Sequence, residues 1–587
     1  MSHPLTNFGR KYAATQWRWY LGGTLALIVT NIIVLEIPQL AKRVINALAA
    51  SADLTPLSNV ALVIILLGVG QIVIRSTSRI MVFWPGRTLE AAVKGDVFAH
   101  ILRVPAASLA NFTIGDLTSR LNNDVTQLRI FYAFGALQVL NVIFISLFTV
   151  SKMISIDPIL TALAIAPMMV MLLLTKTMMP RIAKAMRDNT EALGRLTGRI
   201  AEAFSQVHVI QTMNAVETMM TRVTPDNEAI FESNIRTIWL RTLLWPLMTI
   251  LLGFSLFATL SWGGRQIIAG RLTVGDIMAF NIYIGMLTFP FASLGIIINV
   301  YQRAKPAADR LQTVTALKTE ADQTTPKDHA AAPFTGAPLL EVRHVGFKWS
   351  DERVALDDIS FTVKKGERVG IYGAIGSGKS TLFNILTRLH QQQTGTVSIK
   401  GEDSRSLTPE SVRRVIGYGL QQPLLFSESV RSNLCLGLDE STVTQESLET
   451  ATKRAQIYDD IMRLPEKWDT LIGEKGIKLS GGQKQRLALA RLLMRSSEII
   501  ILDDVLSAVD HDTERRLIKS LLETDAALVI ASHRVSILEP CDKVLVMKQG
   551  RLIASGKYAD VKHIVEAVRL EDINTDTAAS PQTEDKT

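Results

Sequence analysis

Gly373-Ala374-Ile375-Gly376-Ser377-Gly378-Lys379-Ser380 follows a strand-like run at 368–372 and precedes a helical pattern that starts at Thr381. This stretch fits the phosphate-loop pattern, in the strand–loop–helix context that the pattern requires. Its backbone can wrap around phosphates, and the amides of the loop and of the helix N-terminus supply partial positive charge. We expect Lys379 to neutralise the β- and γ-phosphates of a nucleotide and Ser380 to hold Mg²⁺. The sequence therefore predicts an α/β domain with a nucleotide site that includes Thr381.

A second apolar run ends in two carboxylates. It reads Ile499-Ile500-Ile501-Leu502, and Asp503 and Asp504 follow it. The pattern fits a buried strand that delivers a carboxylate at its C-terminal end. Taken alone, it would also fit a core strand followed by an acidic turn. With a phosphate loop in the same domain, we expect Asp503 to hold Mg²⁺, directly or through water.

The first half of the chain is far more apolar than the second. The chain has 587 residues, of which 48% are apolar, and nearly all the long apolar runs lie between residues 19 and 303. A helix needs about 20 mostly apolar residues to cross a membrane. Six stretches meet this requirement, at about 19–39, 58–80, 131–154, 159–179, 243–263 and 278–300.

The spacing and charge of these stretches predict their orientation. Long, charged, helix-forming segments separate the second stretch from the third and the fourth from the fifth. As helical hairpins they would project about 35–40 Å. They carry many basic residues, including Arg120 and Arg187, so the positive-inside rule places them and both termini in the cytoplasm. The sequence predicts a multi-pass protein of the cell (inner) membrane. The net charge of +8 is explained by basic residues that orient the helices in the membrane, so no nucleic-acid partner is expected.

The composition also divides the chain into domains. We expect a membrane domain at 1–315, a polar linker at 316–338, a nucleotide-binding domain at 339–570 and a disordered tail at 571–587. Cys435 and Cys541, the two cysteines of the sequence, both lie in the second half. They imply no disulfide framework, which suits a reducing cytoplasm.

A third segment, Leu479-Ser480-Gly481-Gly482-Gln483, resembles the signature motif of ATP-binding cassette proteins. Further motifs match that family in the same order along the chain. They are Trp349 for adenine stacking, Gln421 for sensing the γ-phosphate and holding Mg²⁺, Gly473–Gly476 as the segment found before the signature in exporters, Ser507–Asp510 as the loop that crosses between cassettes, and His533 as the switch histidine. Residues 115–124, with Arg120, resemble the first intracellular loop of multidrug-type exporters. The chain as a whole resembles a multidrug-resistance-like half-transporter.

The resemblance implies a fold, cofactors and a partner. The fold is an α-helical membrane domain of six helices with long cytoplasmic extensions, followed by an α/β cassette. In this family two ATP molecules, with Mg²⁺, are held between two cassettes, each by the phosphate loop of one and the signature of the other. Because this chain has one cassette, a second half-transporter is implied. ATP closes the cassettes, and hydrolysis lets them part.

Asp504 departs from the family pattern. The family usually has glutamate after the strand-end aspartate, where it orients or deprotonates the attacking water. Aspartate is one methylene shorter, and such a retraction can cost about 10²-fold in rate. The sequence predicts a site that binds ATP but hydrolyses it slowly, beside an intact signature that completes a partner's site. This favours a heterodimer; a homodimer in which Asp504 still works is the alternative.

The substrate and direction stay open at the level of sequence. The leading hypothesis is an exporter of amphipathic or lipophilic compounds across the lipid bilayer. An importer of the same architecture, for example for siderophores, is an alternative, and so is a membrane channel that ATP gates without pumping. A soluble cassette ATPase acting on DNA or ribosomes conflicts with the six apolar stretches. Glu36, near the end of the first stretch, is a candidate to face the pathway.

Overall fold

Two units make up the chain in the computed structural model, which describes residues 3–50, 55–320, 338–349, 353–473, 479–505 and 510–578. One unit comprises Met1–Leu102 with Phe112–Ala316. The other comprises Arg103–Asn111 with Leu317–Thr587. A short stretch of the first long segment therefore belongs to the same unit as the cassette.

The first unit is built of helices joined by short links in its described residues. In chain order, with the short helix of the second unit included as α4, its helices are α1 Pro4–Phe8, α2 Trp17–Ala50, α3 Thr55–Ile101, α4 Ala106–Leu109, α5 Ile114–Ser119, α6 Val125–Ile130, α7 Ala136–Ile156, α8 Pro158–Ser205, α9 Val207–Thr212, α10 Val216–Thr242, α11 Leu244–Ile268 and α12 Val274–Thr315. Wider turns at 120–124 and 131–135 join α5, α6 and α7 into one continuous rod.

Six helical segments among the described residues are long and apolar enough to cross a membrane, which confirms the predicted number. They are Pro4–Leu48, Val60–Ile101, Ile114–Ile156, Pro158–Ser205, Val216–Ile268 and Val274–Thr315. Each extends well beyond its apolar stretch, because the charged segments that follow are also rich in helix formers. The 48 residues of α8, for example, span about 70 Å at the helical rise per residue.

The second long segment forms the expected helical hairpin. In it, α10 packs along α8, and the short helix α9 lies at the tip. Arg199 of α8 forms an ion pair of 2.9 Å with Asp226 of α10. Nearer the membrane stretches, Asn189 donates a hydrogen bond of 2.9 Å to Asn234. Polar contacts therefore hold the two arms in register.

Polar contacts also join the helices of the membrane core. Gln39 of α2 donates to the hydroxyl of Tyr283 at 2.9 Å, and that hydroxyl donates to the Leu35 carbonyl at 3.1 Å. Glu36, the pathway candidate, accepts from Lys152 of α7 at 3.2 Å, with both side chains partly exposed. The pairing gives Glu36 a structural role that the sequence alone did not indicate.

Two β-sheets form the frame of the second unit. A four-stranded antiparallel sheet has the order β2-β1-β4-β5, and a six-stranded sheet has the order β10-β9-β3-β8-β7-β6. The strands are β1 Leu340–Lys348, β2 Val354–Val363, β3 Arg368–Gly373, β4 Thr394–Ile399, β5 Glu402–Asp403, β6 Ile416–Gly419, β7 Ile499–Asp503, β8 Ala527–Ala531, β9 Lys543–Lys548 and β10 Arg551–Gly556. Within the larger sheet, β9, β3, β8, β7 and β6 are parallel.

Helices pack against the larger sheet, as a parallel sheet requires, and α15, α16 and α17 pack against other helices. The helices of this unit after α4 are α13 Lys379–Leu386, α14 Pro409–Val415, α15 Val430–Leu434, α16 Gln445–Arg454, α17 Tyr458–Met462, α18 Gly481–Leu493, α19 His511–Leu522, α20 Val535–Leu538 and α21 Tyr558–Ala578. Every residue of β7 is buried, with Ile499 and Ile501 in one apolar cluster and Ile500 and Leu502 in another. This confirms the buried strand predicted from the apolar run, and with it the predicted fold class.

Three sequence expectations fall partly outside the described residues. They are the linker, whose residues 321–337 are not described, the segment Gly473–Gly476, of which only Gly473 is described, and the loop Ser507–Asp510, of which only Asp510 is described. The described part of the tail differs from expectation, because α21 continues through Ala578. The sequence predicts a disordered tail from residue 571.

Candidate nucleotide site

The candidate site lies at one edge of the larger sheet. The neighbouring strands β3, β8, β7 and β6 are parallel, so their carboxyl ends meet at the same edge. The phosphate loop follows β3, His533 follows β8, Asp503 ends β7, and Gln421 follows β6. Ligands of open α/β sheets bind at this edge. Four segments far apart in sequence are thus brought to one place by strand order alone.

The phosphate loop holds its lysine in place. Lys379 is 8% exposed and donates hydrogen bonds from Nζ to the carbonyls of Gly373 at 2.6 Å and Ala374 at 2.9 Å. The hydroxyl of Ser377, itself buried, lies 3.4 Å from the same atom. These acceptors fix the ammonium group over the loop, where it provides a positive charge for an anionic ligand.

Glycine is required at two positions of the loop for steric reasons. Gly378 has φ +101°, a left-handed conformation, and a Cβ atom there would lie 2.6 Å from the Ala355 carbonyl oxygen. A Cβ atom on Gly373 would lie 2.5 Å from the Met547 carbonyl oxygen. Both contacts are with backbone atoms, which cannot rotate away. Ser380 follows at the start of α13 with an exposed side chain, and Thr381 is half-buried.

Asp503 lies at the end of β7 and is 4% exposed. Its Oδ2 accepts a hydrogen bond of 3.3 Å from the hydroxyl of Tyr418, on the neighbouring strand β6. Burial raises the pKa of Tyr418 above its usual range, and the Asp503 charge adds to the shift. Tyr418 therefore stays protonated and remains a donor that orients the carboxylate. No sequence pattern indicated this partner.

Asp504 has an unusual backbone for a residue that is not glycine. Its φ is +47°, in the left-handed region that aspartate tolerates better than most residues. Its amide donates to the Ala531 carbonyl at 3.1 Å, which ties the turn to the end of β8. Burial raises the pKa of the Asp504 carboxyl; the nearby His533 opposes the shift and Asp503 adds to it. A half-buried carboxylate near a histidine has the environment of a general base.

His533 is positioned by groups that were not identified from the sequence. Its ring lies 6.2 Å, edge to face, from that of Tyr372 in β3. The next residue, Arg534, forms an ion pair with Glu514 of α19, whose side chain is fully buried. Ser536 donates a second hydrogen bond to Glu514 at 2.9 Å. Glu514 thereby anchors the turn that carries His533.

Trp349 lies at the end of β1 and is 51% exposed. Its ring contacts Phe347 and His390 edge to face, with centroid distances of 5.2 Å and 4.9 Å. Burial lowers the pKa of His390, which favours the neutral ring. The two contacts fix the orientation of the indole and leave part of it open to solvent. This arrangement suits stacking on a base, and sequence spacing gave no indication of His390.

The donor atoms at this edge suit a magnesium ion. Ser380 offers an exposed hydroxyl, Asp503 a buried carboxylate and Gln421 an exposed side-chain amide. Mg²⁺ prefers such hard oxygen ligands and keeps several waters. No cluster of three or more His, Cys, Asp or Glu side chains occurs among the described residues, so a cage built of protein alone is not found there. The residues fit an ion that is shared with bound phosphates.

The signature segment forms the start of α18. Ser480 accepts a hydrogen bond from the Gln483 amide at 3.2 Å, and the Gln483 side chain accepts from the Ser480 amide at 2.9 Å. Gln483 also donates to Asp460 at 3.0 Å. Ser480 and Gly481 are exposed, and Gly482 is half-buried. The hydrogen bonds of the Ser480 and Gln483 side chains thus stay within this part of the cassette, so the structure does not join them to the phosphate loop of the same chain.

Fold and site together define a class of protein: a phosphate-loop nucleotide-binding domain fused to a membrane domain of six helices. The family model described as "ABC transporter" matches residues 356–507, and the one described as "ABC transporter transmembrane region" matches residues 20–291. The chain belongs to the ABC transporters, as a half-transporter of the exporter type. It is a multi-pass membrane protein whose ATPase activity is coupled to transport, so the soluble-ATPase alternative is wrong.

Several curated relatives match nearly the whole chain. A probable multidrug resistance ABC transporter ATP-binding/permease protein of Bacillus subtilis is 30% identical over 93% of both chains. The multidrug resistance-like ATP-binding protein MdlA of Escherichia coli is 27% identical, covering 93% of this chain and 92% of its own. An ATP-dependent lipid A-core flippase of Methylococcus capsulatus is 28% identical, covering 94% and 91%.

A solved structure shares the fold. It is that of a bacterial Atm1-family ABC exporter with ATP bound. It aligns with a TM-score of 0.79 at 22% identity, and the alignment covers 94% of this chain and 99% of the other.

Proposed function

We propose that the chain is one subunit of an ATP-driven exporter of amphipathic or lipophilic compounds, paired with a second, different half-transporter. The heterodimer proposal rests on Asp504, whose side chain is one methylene shorter than the family's usual glutamate, and on the intact signature motif of the same chain. The names of the relatives, which include multidrug transporters and a lipid A-core flippase, support the substrate class. The charged hairpins support a cytoplasmic cassette and cytoplasmic termini.

The residues of this chain have four roles towards bound nucleotides. Lys379 and the loop amides bind the phosphates, and Trp349 stacks on the base. Ser380, Asp503 and Gln421 would hold a Mg²⁺ ion, which would offset phosphate charge. Asp504 orients the attacking water, and His533 contacts the γ-phosphate. Ser480, Gly481, Gly482 and the helix N-terminus of α18 present their donors to the phosphates on a partner's loop.

Asp504 decides how fast the site of this chain turns over. Its raised pKa makes it a better proton acceptor than an exposed aspartate, which favours the homodimer alternative. Its shorter side chain holds the carboxylate about an ångström farther from the water, and misplacement of that size costs about 10²-fold. We take the misplacement as the larger of the two effects, which gives slow hydrolysis at this site.

Transport in vesicles of both orientations tests the function. The chain, co-expressed with its partner half-transporter, is assayed with Hoechst 33342 and with a fluorescently labelled phosphatidylglycerol as probes. If the protein is an exporter, a probe accumulates in inverted vesicles when ATP is present. No accumulation is expected when Lys379→Ala is combined with the equivalent substitution in the partner. Accumulation confined to right-side-out vesicles loaded with ATP would indicate an importer. Passive flux without ATP turnover would indicate a channel.

A further inference from the structure

A large cavity lies within the first unit, between the helices α8, α11 and α12 and the end of α10. Its volume is about 1250 Å³, more than the 300–1,000 Å³ typical of pockets for drug-sized ligands. Most of its lining is apolar and flexible, with Met179, Met248 and Phe289 among the side chains. Methionine-rich surfaces adapt to ligands of different shape. The cavity can therefore accept a bulky apolar body.

The charged groups of this cavity all have the same sign. Arg241, at the end of α10, and Arg303, in α12, are its charged lining residues, and no acidic side chain lines it among the described residues. No ion pair or hydrogen bond is found for either guanidinium within the described part of the chain. Two unneutralised guanidinium groups bind carboxylate or phosphate oxygens well and repel cations.

A second cavity continues from the first and does not neutralise these charges. Its volume is about 680 Å³, and it shares Met186, Asn299 and Arg303 with the first. Its acidic lining residues already have partners: Asp124 pairs with Arg310, and Glu191 pairs with Arg195 at 3.2 Å. The surroundings of Arg303 are thus basic on both sides.

The sequence places the two arginines at one level of the membrane. Arg241 lies just before the apolar stretch at 243–263, and Arg303 lies just after the one at 278–300. These two ends are on the same side of the membrane, because α11 and α12 cross it in opposite directions. A ligand held there would have its polar group at the headgroup level and its apolar body deeper in the membrane. Arginines at such ends also serve orientation alone, and the experiment below separates the two roles.

From these observations we propose that this cavity binds amphipathic organic anions, with the oxyanion between Arg241 and Arg303 and the apolar body against Met179, Met248 and Phe289. This site deepens the proposed exporter function and rests on it for its role in transport. The shared chemistry is a carboxylate or phosphate attached to a long apolar group. A free inorganic anion lacks the apolar part, which supplies most of the buried area.

Binding of a matched pair of fluorescent probes tests the site. The assembled transporter in lipid nanodiscs is titrated with 11-(dansylamino)undecanoic acid and with its methyl ester, and empty nanodiscs correct for partition into lipid. The acid is expected to bind about tenfold more tightly than the ester. Dodecyl phosphate displaces the acid, and inorganic phosphate at the same concentration does not. Equal affinity for acid and ester, or displacement by inorganic phosphate, would overturn the proposal.

Variants then assign the preference to the two arginines. Arg241→Gln with Arg303→Gln removes the tenfold preference and leaves ester binding intact, which also shows that the protein is folded. The corresponding pair of lysine substitutions keeps a preference for the acid. Arg236→Gln is the matched control, because Arg236 is an exposed arginine of α10 that lines neither cavity. If the double glutamine variant still prefers the acid by the same factor, the two arginines serve only to orient the helices in the membrane, and the proposed site is wrong.

The outcomes separate this site from the transport function. Binding is measured without ATP, so a lost or absent acid preference in a protein that still exports a probe contradicts the site and leaves the exporter. A clear, arginine-dependent preference in a protein that moves no probe with ATP contradicts the exporter and leaves the site.

Discussion

The cassette and the membrane unit encode their functions in different ways. In the cassette, short sequence motifs indicate the chemistry of the site, and parallel strands bring these motifs to one edge of the sheet. In the membrane unit, the cavity is lined by Met179, Met248 and Arg303, which come from the separate helices α8, α11 and α12 and belong to no motif. The comparison teaches that a nucleotide site can be found by pattern, whereas a substrate cavity becomes visible only once helices are packed.

The largest effect is expected in the cassette, at Lys379. The Lys379→Ala variant removes the loop's ammonium group and leaves the Gly373 and Ala374 carbonyls without this donor. Charge-assisted hydrogen bonds, such as those expected from Lys379 to the phosphates, contribute about 1.5–3 kcal/mol each, so ATP affinity should fall by about 10²-fold or more. Fluorescent-nucleotide titration measures it. Lys365→Ala, an exposed lysine of the same domain, is the control and should bind normally.

A second, smaller effect concerns the anchor of the His533 turn. Glu514→Gln removes the buried charge that pairs with Arg534. We expect the free energy of unfolding of the cassette to fall by about 1–3 kcal/mol, because Arg534 is partly exposed and can turn to water. Denaturant unfolding followed by fluorescence measures the change. Glu523→Gln, an exposed glutamate just after the same helix, should have no such effect.

Backbone strain at the phosphate loop should have an effect of similar or smaller size. Gly378→Ala combines a left-handed φ with a contact of 2.6 Å to the Ala355 carbonyl. Strain of this kind costs about 1–3 kcal/mol. Gly437→Ala is the matched control, since Gly437 has φ +82° but open space around its Cβ position. If both variants lose equal stability, the close approach at Gly378 contributes nothing.

The smallest effect is the pH dependence of Asp504. Burial raises the pKa of its carboxyl in the folded protein, so ionisation opposes folding. Stability is therefore lost as pH rises from the ordinary aspartate range through the raised value. Asp504→Asn should be slightly more stable than the wild type above that window and equal to it below. Thermal unfolding at several pH values measures the difference; a gain that grows on acidification would contradict the cited direction.

The sequence predicted the fold class, the six membrane helices and the family, because each follows from local periodicity or from an ordered set of motifs. It did not predict contacts that depend on packing. Glu514 is distant in sequence from Arg534, and His390 is distant from Trp349. No sequence pattern links either pair, and only the fold brings them together. The pairing of Glu36 with Lys152 is of the same kind. The left-handed turn at Asp504 likewise depends on its bond to β8.

The central claim is that Asp504 limits hydrolysis at the site of this chain. The most direct measurement is the ATPase rate of the purified chain alone, as wild type, Asp504→Glu and Asp504→Ala. The account predicts a slow wild type and little further loss in Asp504→Ala; Asp504→Glu raises the rate about 10²-fold only where two copies of the chain pair and complete each other's sites. A fast wild type whose rate collapses in Asp504→Ala would contradict it and establish a homodimer that uses Asp504.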